Sequence, residues 1–277
     1  MPASSDSPPE PLQRPYHPSA LILGSVALHI AAVGVVLMRP HLWPWALAAV
    51  VANHLTLTAA GLWPRARLLG PNLTRLPSGA AARGEVAITI DDGPDPEVTP
   101  AVLALLDRHG VRASFFCVGE RIARFPQLAR EIVARGHSVE NHSQHHLHRF
   151  SLLGPRRLRA EIGGAQESIA FATGAAPRFF RAPAGLRNPF LERELARAGL
   201  TLVSWTRRGF DTVSTSPDQV LERLTRGLRA GDILLLHDGH AGRTAGGSPV
   251  ILEVLPPLLA AVGTAGLKPV TLRAGCA

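Results

Sequence analysis

From residue 84 onward, short apolar runs alternate with amphipathic segments, several of them closed by glycine, and few folds accept that pattern. Strand-like runs fall at 86–90, 113–118, 201–205, 233–236 and 269–272, and helix-like runs at 100–109, 127–135, 159–172, 191–198, 217–229 and 250–262. Strands alternating with helices at this spacing imply parallel βα units with right-handed crossovers, and therefore an α/β domain over 84–272. The repetition suits a barrel better than an open sheet, although periodicity alone cannot close one. The first run, Val86-Ala87-Ile88-Thr89-Ile90, stops in Asp91-Asp92-Gly93-Pro94. A buried strand thus delivers two carboxylates at its C-terminal end, where α/β folds place their sites. Asp-Gly and Gly-Pro are also ordinary turn chemistry, so a solvated turn is the competing interpretation.

The N-terminal part is of another kind. Residues 1–18 are rich in Pro and Ser and poor in apolar residues, the composition of a disordered tail. Ser19 to Met38 then runs without an acidic or basic charge for the ~20 residues that cross a hydrocarbon core as a helix, and Arg39-Pro40 ends it. A second such run, His41 to Pro64, carries Trp43, Trp45 and Trp63 near its ends, where indoles favour the membrane interface. Residues 19–64 are expected to form a transmembrane helical hairpin, with 65–83 a linker into the domain. Asn53, His54, Thr56 and Thr58 in the second run require partners on the first helix or on another subunit; an interfacial segment is the alternative. A cleaved signal peptide fits less well, because the apolar run exceeds the usual roughly 7 to 15 residues and lacks a basic start.

Lys and Arg number 29 against 21 acids, a formal charge of +8, yet Lys268 is the only lysine and the arginines are scattered. Without a basic helix face or a nucleic-acid motif, this charge argues for an anionic membrane surface and against nucleic acid. Cys117 and Cys276 are poor disulfide partners, so the fold needs no oxidising compartment.

Two constellations carry chemistry. Adjacent carboxylates resist ionising together unless a cation or proton holds them, so Asp91 and Asp92 suggest one metal ligand and one base. His142, His145 and His146 offer pairs at i,i+3 and i,i+4 that can turn two ring nitrogens to one side of a helical turn, and two His plus one carboxylate is a common set for a catalytic divalent metal. A solvated His-rich loop is the other possibility.

The motifs Thr89-Ile90-Asp91-Asp92-Gly93-Pro94, His142-Ser143-x-x-His146, Arg181-Ala182-Pro183-Ala184-Gly185 and Leu234-Leu235-Leu236-His237-Asp238 resemble, in order and spacing, those of the polysaccharide deacetylase family, the NodB-homology domain of carbohydrate esterase family 4. The resemblance spans about residues 84–272. It implies a distorted (β/α) barrel of about seven strands, a divalent metal (often zinc), and hydrolysis of an N-acetyl group on an amino sugar. It also implies roles: Asp91 as catalytic base, Asp92, His142 and His146 as metal ligands, Arg181 orienting the base, His237 as general acid, and Leu235 lining the acetyl pocket. His145 is then a neighbour of the ligands.

One segment departs from the family pattern. In Trp205-Thr206-Arg207-Arg208-Gly209-Phe210-Asp211-Thr212, Arg208 stands where relatives carry an aspartate and Thr212 where they carry a Trp, while Asp211 keeps the place of the residue that orients the general acid. Ala184 replaces a common aromatic in the substrate groove. Sugar rings bind largely through stacked aromatic faces, so such a groove suits a long glycan poorly. The expectation is a membrane-anchored, metal-dependent amino-sugar N-deacetylase acting on a glycan or lipid-linked saccharide. Its rivals are a catalytically weakened protein of the same fold that binds a glycan or partner, and another carbon-nitrogen amidohydrolase. Arg14, Arg65, Arg67 and Arg75 flank the hairpin against Arg39 in its turn, which by the positive-inside rule places the domain at the cytoplasmic face, whereas most relatives act outside the cell.

Overall fold

The computed structural model describes residues 14–277. Eight parallel strands form one sheet: β1 Glu85–Asp91, β2 Ser114–Cys117, β3 Ser138–Asn141, β4 Phe179–Phe180, β5 Thr201–Leu202, β6 Arg207–Arg208, β7 Ile233–His237 and β8 Lys268–Val270. The path runs β5-β4-β3-β2-β1-β7-β6, with β8 paired to the start of β1. A single stretch of chain, Thr201 to Arg208, supplies both ends of this path, β5 against β4 and β6 against β7. From Leu202 to Arg207 the backbone reaches at most about 18 Å, whereas the end strands of a flat sheet of this size would lie about 29 Å apart. The sheet must therefore curl, and this strap turns the alternation of strands and helices into a distorted barrel.

Strand periodicity sorts the side chains. Along β1, Val86, Ile88 and Ile90 join the core under the helices Thr99–Arg108 and Val250–Thr264, with Leu234 and Leu236 of β7 beside them. The alternate residues Ala87, Thr89 and Asp91 point into the barrel, as do Ile233, Leu235 and His237. Register sets Thr89 opposite Leu235 and Asp91 opposite His237.

Several boundaries differ from the sequence expectation. The strand expected at 269–272 is Lys268–Val270, because the Thr271 side chain accepts from the Ala274 amide and starts a short helix. The run at 201–205 pairs only at Thr201–Leu202, and a helix over Gly119–Arg124 was not anticipated. The 65–83 stretch is packed onto the barrel: Leu69 and Leu76 are buried, Leu73 bridges to Val203, and Ser78–Ala82 is helical. Residues 1–13 of the expected tail lie outside the described residues; 14–18 form no helix or strand, and Arg14 pairs with Glu192 at 2.7 Å. Cys117 and Cys276 are both free.

Two helices, α1 (Ala20–Met38) and α2 (Trp43–Leu62), pack together and are long and apolar enough to cross a membrane. Large apolar side chains such as Ile30, Leu37, Trp45 and Leu55 stand exposed along them. Their polar residues meet one another: Asn53 Nδ2 donates to Ser25 Oγ at 2.8 Å, and the His29 and His54 rings approach at 3.3 Å. The base of α2 is fixed to the barrel. The Arg187 amide donates to Gly61 O, the Ser204 hydroxyl and Asn72 Nδ2 donate to Pro64 O, and Arg65 donates to Thr206 O. A Cβ on Gly61 would fall 2.3 Å from Arg187 O, so only glycine permits this approach.

Candidate active site

Asp91 closes β1 inside the barrel, almost fully buried, and its partner is the equally buried Arg181. Arg181 Nη1 donates to Asp91 Oδ1 at 2.6 Å and to Thr89 Oγ1 at 2.8 Å, and Nη2 donates to Ser204 O at 3.0 Å. The guanidinium lies 4.1 Å from the centroid of the Phe116 ring, which fixes its plane. Because Oδ1 is engaged, Oδ2 is the oxygen left for chemistry; it faces His142 Nε2 at 3.9 Å.

Asp92 turns the other way, through a left-handed backbone at φ 74°. Its Oδ1 lies 3.1 Å from His142 Nε2 and 3.2 Å from His146 Nε2, and the three ligand atoms fall within 4.8 Å of one another. Donors at ~2.0–2.2 Å from a shared tetrahedral ion sit about 3.3 Å apart, so these residues fit a divalent metal. His142 Nδ1 is bound to Arg181 O at 2.8 Å, which leaves Nε2 free to ligate. Burial pushes His146 down to about 4, helped by His142, so it is neutral; burial opposes charge on Asp92, yet His142 and His240 hold its carboxyl well below the usual range. Both are ligating forms. Burial likewise opposes charge on His142, but Asp91 and Asp92 outweigh it and raise its pKa.

The two histidines do not share a helical turn as their spacing suggested. They lie on a loop with left-handed residues at Ser143 and His146, braced by the Ser143 hydroxyl accepting from the His146 amide. His145 stands outside the cluster and its Nδ1 bonds Glu161 at 2.8 Å.

Opposite Asp91, His237 ends β7. Asp211 receives both its Nδ1 hydrogen at 2.8 Å and its backbone amide at 2.7 Å, so the other ring nitrogen faces the site. Burial works against charge on His237, but Asp211 outweighs it and raises the pKa. The loops after β1 and β7 pack in close contact: a Cβ on Gly93 would sit 2.5 Å from the Asp238 carboxylate, and one on Gly239 would sit 2.4 Å from the Asp92 backbone carbonyl oxygen.

Asp91, Asp92, His142, His146, Ala184, Leu235 and His237 line one cavity of about 670 Å³, with Arg181 and Asp211 bonded behind it. All six non-glycine residues with positive φ among the described residues, Asp92, Ser143, His146, Ala184, Phe210 and His240, lie in this cavity's wall or next to a residue that forms the site. Backbone strain gathered in one place marks a functional site.

The family model described as polysaccharide deacetylase matches residues 78–203. The chitooligosaccharide deacetylase of Bradyrhizobium sp. (strain ANU 289) is 38% identical over 156 residues, 56% of this chain and 71% of that protein. This chain belongs to the polysaccharide deacetylase family. A peptidoglycan-N-acetylglucosamine deacetylase of Bacillus cereus is 31% identical over 198 residues, 70% of this chain and 69% of that one. Among solved structures, the family 4 carbohydrate esterase from Streptomyces lividans in complex with acetate aligns with a TM-score of 0.62 at 33% identity, over 69% of this chain and 95% of that chain.

In this polysaccharide deacetylase the structure adds residues to which the sequence reading gave no role. Thr89 accepts from Arg181 and donates to Leu234 O at 2.7 Å, and its inward position on β1 was the available signal. Asp238, pushed up to about 7 by burial, is held by the Thr99 hydroxyl at 2.5 Å. His240, 3.6 Å from Asp92 Oδ2, carried no signal, because only folding brings the loop after β7 over the Asp92, His142 and His146 cluster.

Proposed function

We propose that this protein is a metal-dependent hydrolase that removes the N-acetyl group of an amino sugar, held at a membrane by its N-terminal hairpin. The observation that carries the reading is the opposition of Asp91 and His237 on adjacent strands beside the Asp92, His142 and His146 cluster. When bound there, a divalent ion, for which this donor set suits zinc, would supply Lewis-acid polarisation of the acetamide carbonyl and acidify water. Asp91 accepts the water proton at Oδ2, while Arg181 holds Oδ1 of the carboxylate in place. The water oxygen bonds to the carbonyl carbon. As the carbon-nitrogen bond breaks, His237 donates a proton to the departing amine, and acetate and the free amino sugar leave. Leu235, buried in the cavity wall, and Ala184 would bound the acetyl group.

The hairpin favours a lipid-linked or short acceptor over a long soluble glycan. Its base abuts the cavity wall: a Cβ on Gly185 would meet both Pro64 and the Trp205 ring. A second cavity of about 440 Å³, lined by Ile22, Val26, Leu57, Leu62, Leu152 and Phe190 among others, runs between hairpin and barrel and suits an apolar chain.

Acetate release from a panel of N-acetylated sugars and glycolipids tests the reading. The expected result is release from a short or lipid-linked acceptor, abolished by chelator and restored by metal; long soluble chitin oligomers turned over faster than any of these would contradict the acceptor class. The arginines flanking the hairpin favour a cytoplasm-facing domain. A fusion of alkaline phosphatase after Ala277 should then be inactive and a fluorescent protein bright; the reverse pattern would put the domain outside.

A further inference from the structure

Arg208 occupies an unusual position for a guanidinium. It sits on β6 opposite Leu235 and lines the same cavity as Asp91, His142 and His237. Its neighbour Arg207, on the other face of the strand, is paired with Asp232 at 2.6 Å. The second arginine of the cavity wall, Arg121, faces Asp95 at 3.6 Å. Arg208 meets no carboxylate among the described residues, and its Nε is buried without an acceptor.

Two aromatic rings hold it instead. The guanidinium carbon is 5.3 Å from the Trp205 ring centroid and 4.9 Å from that of Phe210. Phe210 adopts φ 61°, a left-handed backbone that bulky residues rarely take, and this places its ring against Arg208. Aromatic faces fix the plane of a guanidinium while leaving its N–H edge unspent, and that edge matches a phosphate or carboxylate in bidentate fashion. A permanently charged fork of this kind in a substrate cavity is a receptor waiting for an anion.

We propose that Arg208 is a specificity-determining residue that binds a phosphate or carboxylate carried by the substrate beside its N-acetylated sugar. For turnover the proposal rests on the deacetylase reading above; for binding it does not. Two sources provide the anion, a phosphate ester on the sugar or the carboxylate of an acidic sugar, and N-acetylglucosamine 1-phosphate and N-acetylmuramic acid represent them against neutral N-acetylglucosamine.

The test compares the full-length, metal-loaded protein with Arg208→Gln and Arg208→Lys, by acetate release and by calorimetric titration of each compound. Wild type should prefer at least one charged sugar through KM, and the one preferred identifies the source. Arg208→Gln should raise its KM by roughly tenfold or more with a much smaller change in kcat, Arg208→Lys should fall between, and added salt should weaken the charged ligand most. Equal handling of charged and neutral sugars by wild type would overturn the proposal. So would an Arg208→Gln protein that loses kcat for all sugars at unchanged KM, the mark of a structural role. If no sugar is turned over, the deacetylase reading fails and titration alone decides: loss of charged-sugar binding in Arg208→Gln supports anion recognition, and equal binding by both proteins refutes it.

Discussion

Purified Asp92→Ala, His142→Ala and His146→Ala proteins should each lose most of their bound divalent metal, whereas Asp91→Asn should retain it and be inactive. The division follows from where the two adjacent carboxylates point. Asp92 Oδ1 is within 3.2 Å of both imidazoles, while Asp91 Oδ1 is committed to Arg181. Asparagine is the informative replacement at Asp91. Its side-chain oxygen can still accept from Arg181, so the hydrogen bond is kept although the countercharge is lost, a smaller defect than the about 3–5 kcal/mol that follows when one partner of a buried pair is removed outright. Loss of the base should lower kcat by roughly 10²–10⁴-fold. Metal analysis of the purified variants, read beside acetate release, distinguishes the roles; full occupancy in His146→Ala would remove it from the ligand set.

The second large effect is expected at the opposite wall. His237→Ala should lower kcat by roughly 10²–10⁴-fold at near-normal metal content, because no other donor lies across from Asp91 on the neighbouring strand. A general acid works in its protonated form, so activity falls as pH rises through its pKa. Burial alone would depress that pKa, and the Asp211 hydrogen bond raises it instead. Asp211→Asn should therefore move the alkaline limb of the kcat profile to lower pH and reduce kcat. An unmoved limb would separate His237 from that step.

The sequence alone determined which residues enter the barrel and which chemistry they bring. Alternation along β1 puts Thr89 and Asp91 on one face and Ile88 and Ile90 on the other, and the pleat enforces that sorting wherever the strand pairs. The uncharged runs determined α1 and α2, because helix length and apolarity are local properties. Tertiary structure decided what depends on neighbours distant in the chain. It made one short run, Thr201 to Arg208, serve both ends of the sheet, which no periodicity signals. It packed 65–83 against the barrel, where Leu69 and Leu76 find burial that their irregular spacing did not announce. It set the candidate metal-ligating histidines His142 and His146 on a loop with left-handed residues, and it aimed Arg208 inward between Trp205 and Phe210. Local patterns report burial and period, but which strands become neighbours, and so which side chains meet, is fixed only when the whole sheet closes.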